Sequence, residues 1–211
     1  MSLVNIHLQP NRALVAVDTE VMYAKGAGYG AGAKMALLPH ANALLAIRGI
    51  NIVLGMTYCH AILESIPTFD ALEKAIPGYL RIALDYLDSD AQNLFGKPAI
   101  EAQAFNQELS LVGYSEQRGR MCALVFSSKG SKDIGVFELE ERDAHFSPWT
   151  EAWGDPIAPD TPERMRFISL LQVDNGSAME PDAPLGGRLL LCELTKEEAK
   201  FSSLGWLSER V

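Results

Sequence analysis

The chain has 211 residues, 48% of them hydrophobic and 21% charged, a balance that excludes a disordered tail, a collagen-like fibre and a small disulfide-stapled scaffold. Asp and Glu number 27 against 18 Lys and Arg, a net charge of −9 with no local basic cluster, so nucleic acid and an anionic membrane surface are poor partners. A chain of this length can bury one substantial core, and a single domain over residues 1–211 is expected.

Cys59, Cys122 and Cys192 are odd in number and lack Cys-x-x-Cys spacing. They read as buried thiols in a reducing compartment. His40, Arg48 and Asn51 interrupt the longest apolar stretch, which stays well short of the roughly 18 residues of a membrane span. The opening Met-Ser-Leu-Val-Asn-Ile-His lacks the basic and apolar regions of a signal peptide, and the expected location is the cytoplasm.

Val4, Ile6 and Leu8 alternate with Asn5 and His7, the period of a half-buried strand. After a turn over residues 9–12, the apolar run 13–17 ending at Asp18 is too short for a helix and reads as a buried strand, so the chain opens with a hairpin. Gly26, Gly28, Gly30 and Gly32 mark a flexible stretch ending at Lys34. Residues 35–38 and 43–47, divided by Pro39-His40, form another strand pair. From Ile52 the period lengthens: Ile52, Met56, Cys59, Leu63 and Ile66 fall at helical spacing. Thr68, Asp70 and Glu73 then cap a second helical segment, interrupted at Pro77-Gly78 and continued by Leu80, Ala83, Leu84 and Leu87. A polar link over 88–106 precedes a meander of strands at 109–114, 121–126 and 134–139. Residues 147–160, with Trp149 and Trp153, read as an irregular loop. Thr161-Pro162-Glu163 starts a helix, and a loop over 174–187 leads to strands at 188–194 and 199–207. Two antiparallel sheets packed face to face with helices outside would bury every apolar face, giving an α+β four-layer αββα sandwich.

The candidate chemistry starts at the N-terminus. Removal of Met1, which the small side chain of Ser2 permits, would leave a hydroxyl and a free α-amine on one residue. An α-amine titrates near 7.7 to 8.0, so part of it is neutral and able to take the hydroxyl proton. Asp18 lies sixteen residues after Ser2, at a strand end, and Lys34 lies thirty-two after it, at a strand start. A hairpin returns the chain beside its own beginning, so such topology can gather all three. A buried Lys34 ammonium would then favour the alkoxide and lower the α-amine pKa, while Asp18 orients the lysine. Read blandly, Asp18 and Lys34 are an ion pair at a strand end.

The segment Ala13-Leu-Val-Ala-Val-Asp18-Thr-Glu and the lysine-led Lys34-Met-Ala-Leu-Leu resemble the proteasome β-subunit family of N-terminal-nucleophile hydrolases, over about the first ninety residues. The resemblance implies a catalytic set of Ser2, Asp18 and Lys34, with Gly49 as the oxyanion donor when one residue is inserted in the 39–42 turn, and Arg48 in that position otherwise. It also implies cleavage of an amide bond in a peptide or small amide substrate, with neither cofactor nor metal, and self-association into a homo-oligomer. Serine replaces the family's threonine, no propeptide lies beyond Met1, and the 147–160 stretch lacks the family's helix. Asp174 and Ser177 share the Asp-x-x-Ser spacing of its supporting residues. A non-catalytic scaffold of the same fold, acting in assembly or protein binding, is the alternative.

Other motifs point less far. Gly26-x-Gly28-x-x-Ala31 fits a dinucleotide fingerprint but opens no helix, so a flexible loop is the simpler reading. His60 and Glu64 stand one helical turn apart without a third metal ligand, a spacing more often used for a hydrogen-bonded contact. Asn175-Gly176-Ser177 is a glycosylation acceptor only in a secreted chain. Trp149 and Trp153 suit either a partner surface or loop packing.

Overall fold

The computed structural model describes residues 2–22, 29–101, 103–140, 143–149, 158–179 and 185–208. The opening hairpin forms as expected: β1 (Val4–Leu8) pairs antiparallel with β2 (Arg12–Asp18), from Val4 opposite Val17 to Leu8 opposite Ala13. Where the glycine-rich stretch suggested only flexibility, β3 (Glu20–Met22) and β4 (Tyr29–Ala31) pair as a two-stranded ribbon, tied back by the Gly32 N–H to the Thr19 carbonyl at 2.9 Å. Gly26 and Gly28 lie outside the described residues. The second hairpin, β5 (Met35–Leu38) and β6 (Ala43–Arg48), turns through Asn42 in the left-handed region.

Two helices follow, α1 (Asn51–Leu63) and α2 (Phe69–Ser89), with Thr68 Oγ1 capping α2 by accepting from the Ala71 N–H. The expected break at Pro77-Gly78 is corrected, because α2 runs unbroken through both. Proline removes one donor, whereas Leu72, Ile76, Leu80, Leu84 and Leu87 bury a stripe along the whole length. The buried face of α1 also differs from the expected stripe. Val53, Leu54, Thr57 and Ala61 point inward, whereas Leu63 and Cys59 are exposed. This helix is apolar around most of its circumference, so spacing alone did not choose a face. A short α3 (Ala91–Phe95) occupies part of the polar link.

The meander appears as β7 (Gln107–Ser115), β8 (Arg120–Ser128) and β9 (Ile134–Glu138). A strand absent from the sequence reading, β10 (Ala144–Ser147), pairs with β1. The helix α4 (Pro162–Met179) extends past Asp174 into the segment expected as a loop. β11 (Gly187–Thr195) and β12 (Ala199–Ser208) end the described chain.

These elements assemble, among the described residues, into two five-stranded antiparallel sheets of order β10-β1-β2-β11-β12 and β5-β6-β7-β8-β9. Three apolar layers hold them. Val4, Ile6, Val15, Leu44, Val112 and Val125 meet between the sheets. Leu45, Ile47, Leu72, Leu80, Leu111 and Phe126 join α1 and α2 to the second sheet, and Leu3, Leu14, Met165 and Leu191 join α4 to the first. The four-layer α+β sandwich expected from element order is the architecture found. Of the cysteines, Cys122 and Cys192 are buried as expected and Cys59 is exposed.

Candidate active site at the N-terminus

Asp18 ends β2 opposite the start of β1, so the backbone of the residue after Ser2 reaches it directly: the Leu3 N–H donates to Asp18 Oδ1 at 2.7 Å. Lys34, one residue before β5, crosses from the second sheet and places its Nζ 2.8 Å from each carboxylate oxygen. The Gly186 N–H, on the approach to β11, donates to Oδ2 at 3.4 Å. One carboxylate thus joins the chain's beginning, the opposite sheet and the β11 approach. A single oxygen bridges the lysine nitrogen and the backbone that follows Ser2.

The cluster is closed to solvent. Asp18 is 0% exposed, Lys34 1% and Ser2 6%. Burial disfavours charge on both partners: it pulls the Lys34 ammonium below the usual lysine range and pushes Asp18 above the usual carboxylate range. Their mutual attraction and the hydrogen bonds they share oppose this, and Glu20 adds support for the positive charge on Lys34. An ammonium in so dry a setting exerts a strong field on any hydroxyl or amine beside it, because little water screens it. The bland reading of a solvated surface pair does not describe this one.

Gly49 sits in the turn from β6 into α1 with φ of +144°, a conformation that side-chain-bearing residues rarely adopt. A Cβ there would lie 2.0 Å from Gln107 Oε1, which itself accepts the Ile50 N–H at 2.7 Å. Gln107 Nε2 donates onward to the Ala104 carbonyl at 2.8 Å, which fixes the turn at the mouth of the sandwich. The glycine is therefore required by both torsion and space, whereas Arg48 remains in the strand opposite Glu108.

Sequence spacing brought out Ser2, Asp18 and Lys34 but missed three contributors. Gln107 is 1% exposed and opens β7 next to Glu108, so in sequence it reads as one more polar residue of the 88–106 link rather than as a buried group. Gly186 acts through a backbone N–H, which any residue but proline supplies. Glu20 lies two residues beyond Asp18 in a stretch whose pairing was not legible. Asp174 lies on α4 and is exposed, and the side chain of Ser177 lies outside the described residues.

The remaining motifs find other uses. Glu64 accepts the Tyr79 hydroxyl and His60 stacks on the Tyr79 ring at 5.3 Å, while no group of three metal-ligating side chains occurs among the described residues. Asn175 and Gly176 belong to α4, Trp149 packs on Phe146, and Trp153 lies outside the described residues. No described helix is long and apolar enough to cross a membrane.

No family model and no curated protein matches the chain. Among solved structures, a mutant of Anbu from Hyphomicrobium sp. strain MC1 aligns over 97% of this chain and 88% of its own, with a TM-score of 0.63 at 12% identity. Anbu from Yersinia bercovieri, described as an ancestral beta-subunit, aligns over 96% and 87% with a TM-score of 0.62 at 10% identity. The chain therefore has the proteasome-like α+β sandwich fold shared with Anbu.

Proposed function

We propose that the chain is an N-terminal-nucleophile hydrolase that cleaves an amide bond with Ser2 after loss of Met1. The observation that carries this reading is the sealed Asp18–Lys34 pair, hydrogen-bonded at 2.7 Å to the backbone of the residue after Ser2. In the first step the Ser2 hydroxyl attacks the substrate carbonyl while its own α-amine accepts the proton. That amine then returns the proton to the leaving amine, and water later releases the acyl group. Lys34 stabilises developing negative charge on the Ser2 oxygen, and Asp18 holds Lys34 in place. The Gly49 N–H is the donor to the carbonyl oxygen, since the neighbouring Ile50 N–H is already bonded to Gln107. No step draws on a cofactor. Self-association is proposed with it, from the fold shared with a protein described as a beta-subunit.

Intact-mass analysis of protein from its native host, combined with a serine-directed electrophilic probe, tests the reading. The expected outcome is a chain lacking Met1 and labelled at Ser2, with labelling abolished in Ser2→Ala. Retention of Met1 overturns it and leaves the scaffold alternative, whereas labelling that survives Ser2→Ala overturns it by pointing to another nucleophile.

A further inference from the structure

The apolar stripe that helical spacing places on α1 and the turn after it, Ile52, Met56, Cys59, Leu63 and Ile66, is not the face the domain buries. Val53, Leu54, Thr57 and Ala61 fill the core instead, and the stripe is left on the outer side. Along it Gly55, Cys59, Ile62 and Leu63 are exposed, Leu63 at 80%, with Ile52, Met56 and Ile66 half-buried beside them. None of the 13 residues of α1 is Asp, Glu, Lys or Arg. A helix that is apolar all round has a second face to cover as well as the first.

Two features indicate what covers it. The chain carries a net charge of −9, so most faces of two copies repel each other, whereas this one has no charge to repel and none to pair with an acidic or basic partner. The stripe is also complementary to itself. Gly55 and Leu63 each stand about one helical turn from Cys59, on opposite sides of it. In an antiparallel pair of α1 helices crossing at Cys59, each Leu63 therefore falls opposite Gly55 of the other copy. A Cβ on Gly55 would meet no atom within 4 Å, so nothing inside the domain requires a glycine there, although glycine weakens a helix interior. Its missing side chain leaves a hollow on the outer face, and Leu63 is the projection that fits it. A contact in which each pairing occurs twice is that of a twofold interface.

We propose that α1 is a self-docking surface, on which two copies of this chain associate across a twofold axis at Cys59 with Leu63 of each seated over Gly55 of the other. The inference names the surface for the self-association proposed above and does not depend on Ser2 being the nucleophile.

Sedimentation equilibrium over a range of concentrations, combined with a short bis-maleimide that joins thiols, tests it. The native chain should reach at least twice its monomer mass as concentration rises and should cross-link through Cys59, since Cys122 and Cys192 are buried. Cys59→Ser should abolish the cross-link. Leu63→Glu should weaken the association by about tenfold or more. Gly55→Leu, which makes the stripe more apolar but fills the hollow, should weaken it as well. Thermal melts of both variants should match the native chain, because Leu63 is exposed and open space lies above Gly55. Association strengthened by Gly55→Leu would identify a non-specific apolar contact and overturn the proposal. Association unchanged in both Leu63→Glu and Gly55→Leu overturns the α1 surface while leaving self-association through another face. A chain that stays monomeric at every concentration overturns both.

Discussion

Asp18 receives hydrogen bonds from three directions, and this makes its pairing with Lys34 asymmetric. Lys34→Met leaves a carboxylate that still accepts from the Leu3 and Gly186 N–H groups. Asp18→Ala leaves a buried ammonium and two backbone donors without their shared acceptor. Breaking a buried pair from one side costs about 3–5 kcal/mol. Urea unfolding should therefore place Asp18→Ala at the upper end and Lys34→Met below it, and the reverse order would contradict the view that Asp18 organises the site. Gly49→Ala forces both an unfavourable torsion and a clash with Gln107. A loss of about 1–3 kcal/mol is expected, and trimming Gln107 to Ala in the same chain should recover only part of it, because the torsion remains. Residues whose roles follow from spacing along two strands were legible in the sequence. Gln107 and Gly186 were not, since their partners come from segments distant in sequence and one of them acts only through its backbone.

At the scale of elements, alternation and short apolar runs located β1, β2, β5 and β6, because each is bounded by turn residues and buried on at least one face. Boundaries failed where tertiary packing outweighed local preference. Pro77 is the clearest case: it lies inside a 21-residue helix and leaves the Glu73 carbonyl without its helical donor. The helix persists because its stripe packs against the second sheet. Pro77→Ala restores the donor without disturbing that stripe and should stabilise the protein by about 1–3 kcal/mol, read as a higher melting temperature. A lower one would show that the proline ring makes a packing contact worth more than the missing hydrogen bond. β10 was illegible for a different reason: unlike the wholly apolar β5, its four residues Ala-His-Phe-Ser are of mixed polarity, and its partner β1 lies at the far end of the chain, so no hairpin turn announces it, although β10 supplies both His145 and Ser147.

For the molecule as a whole, the acidic surface sets charge, but the burial of histidines beside one sheet edge sets how stability responds to pH. His7 on β1 and His145 on β10 both belong to the first sheet, and burial lowers both below the ordinary histidine value. Around His7, Asp160 and the Asp143 carbonyl oppose the shift while Arg12 reinforces it. Around His145, Glu108 opposes and Arg48 reinforces. A histidine with a depressed folded-state pKa binds fewer protons folded than unfolded once the pH drops below about 6.5. Its contribution is thus complete above that value and is lost as the pH falls toward the folded pKa, at up to about 1.4 kcal/mol per pH unit for each histidine. Urea midpoints measured from pH 7.5 to 5.5 should hold nearly level down to about pH 6.5 and fall below it in the native chain. A His7→Gln, His145→Gln double variant should show a flatter profile across the same range, even if it starts less stable. His145→Gln alone would leave the His7 share of the slope in place, which separates the two sheet-edge positions. A native midpoint that does not change across this range would mean that both rings accept a proton in the folded state without cost, His7 on the α4 face of β1 and His145 on β10 alike.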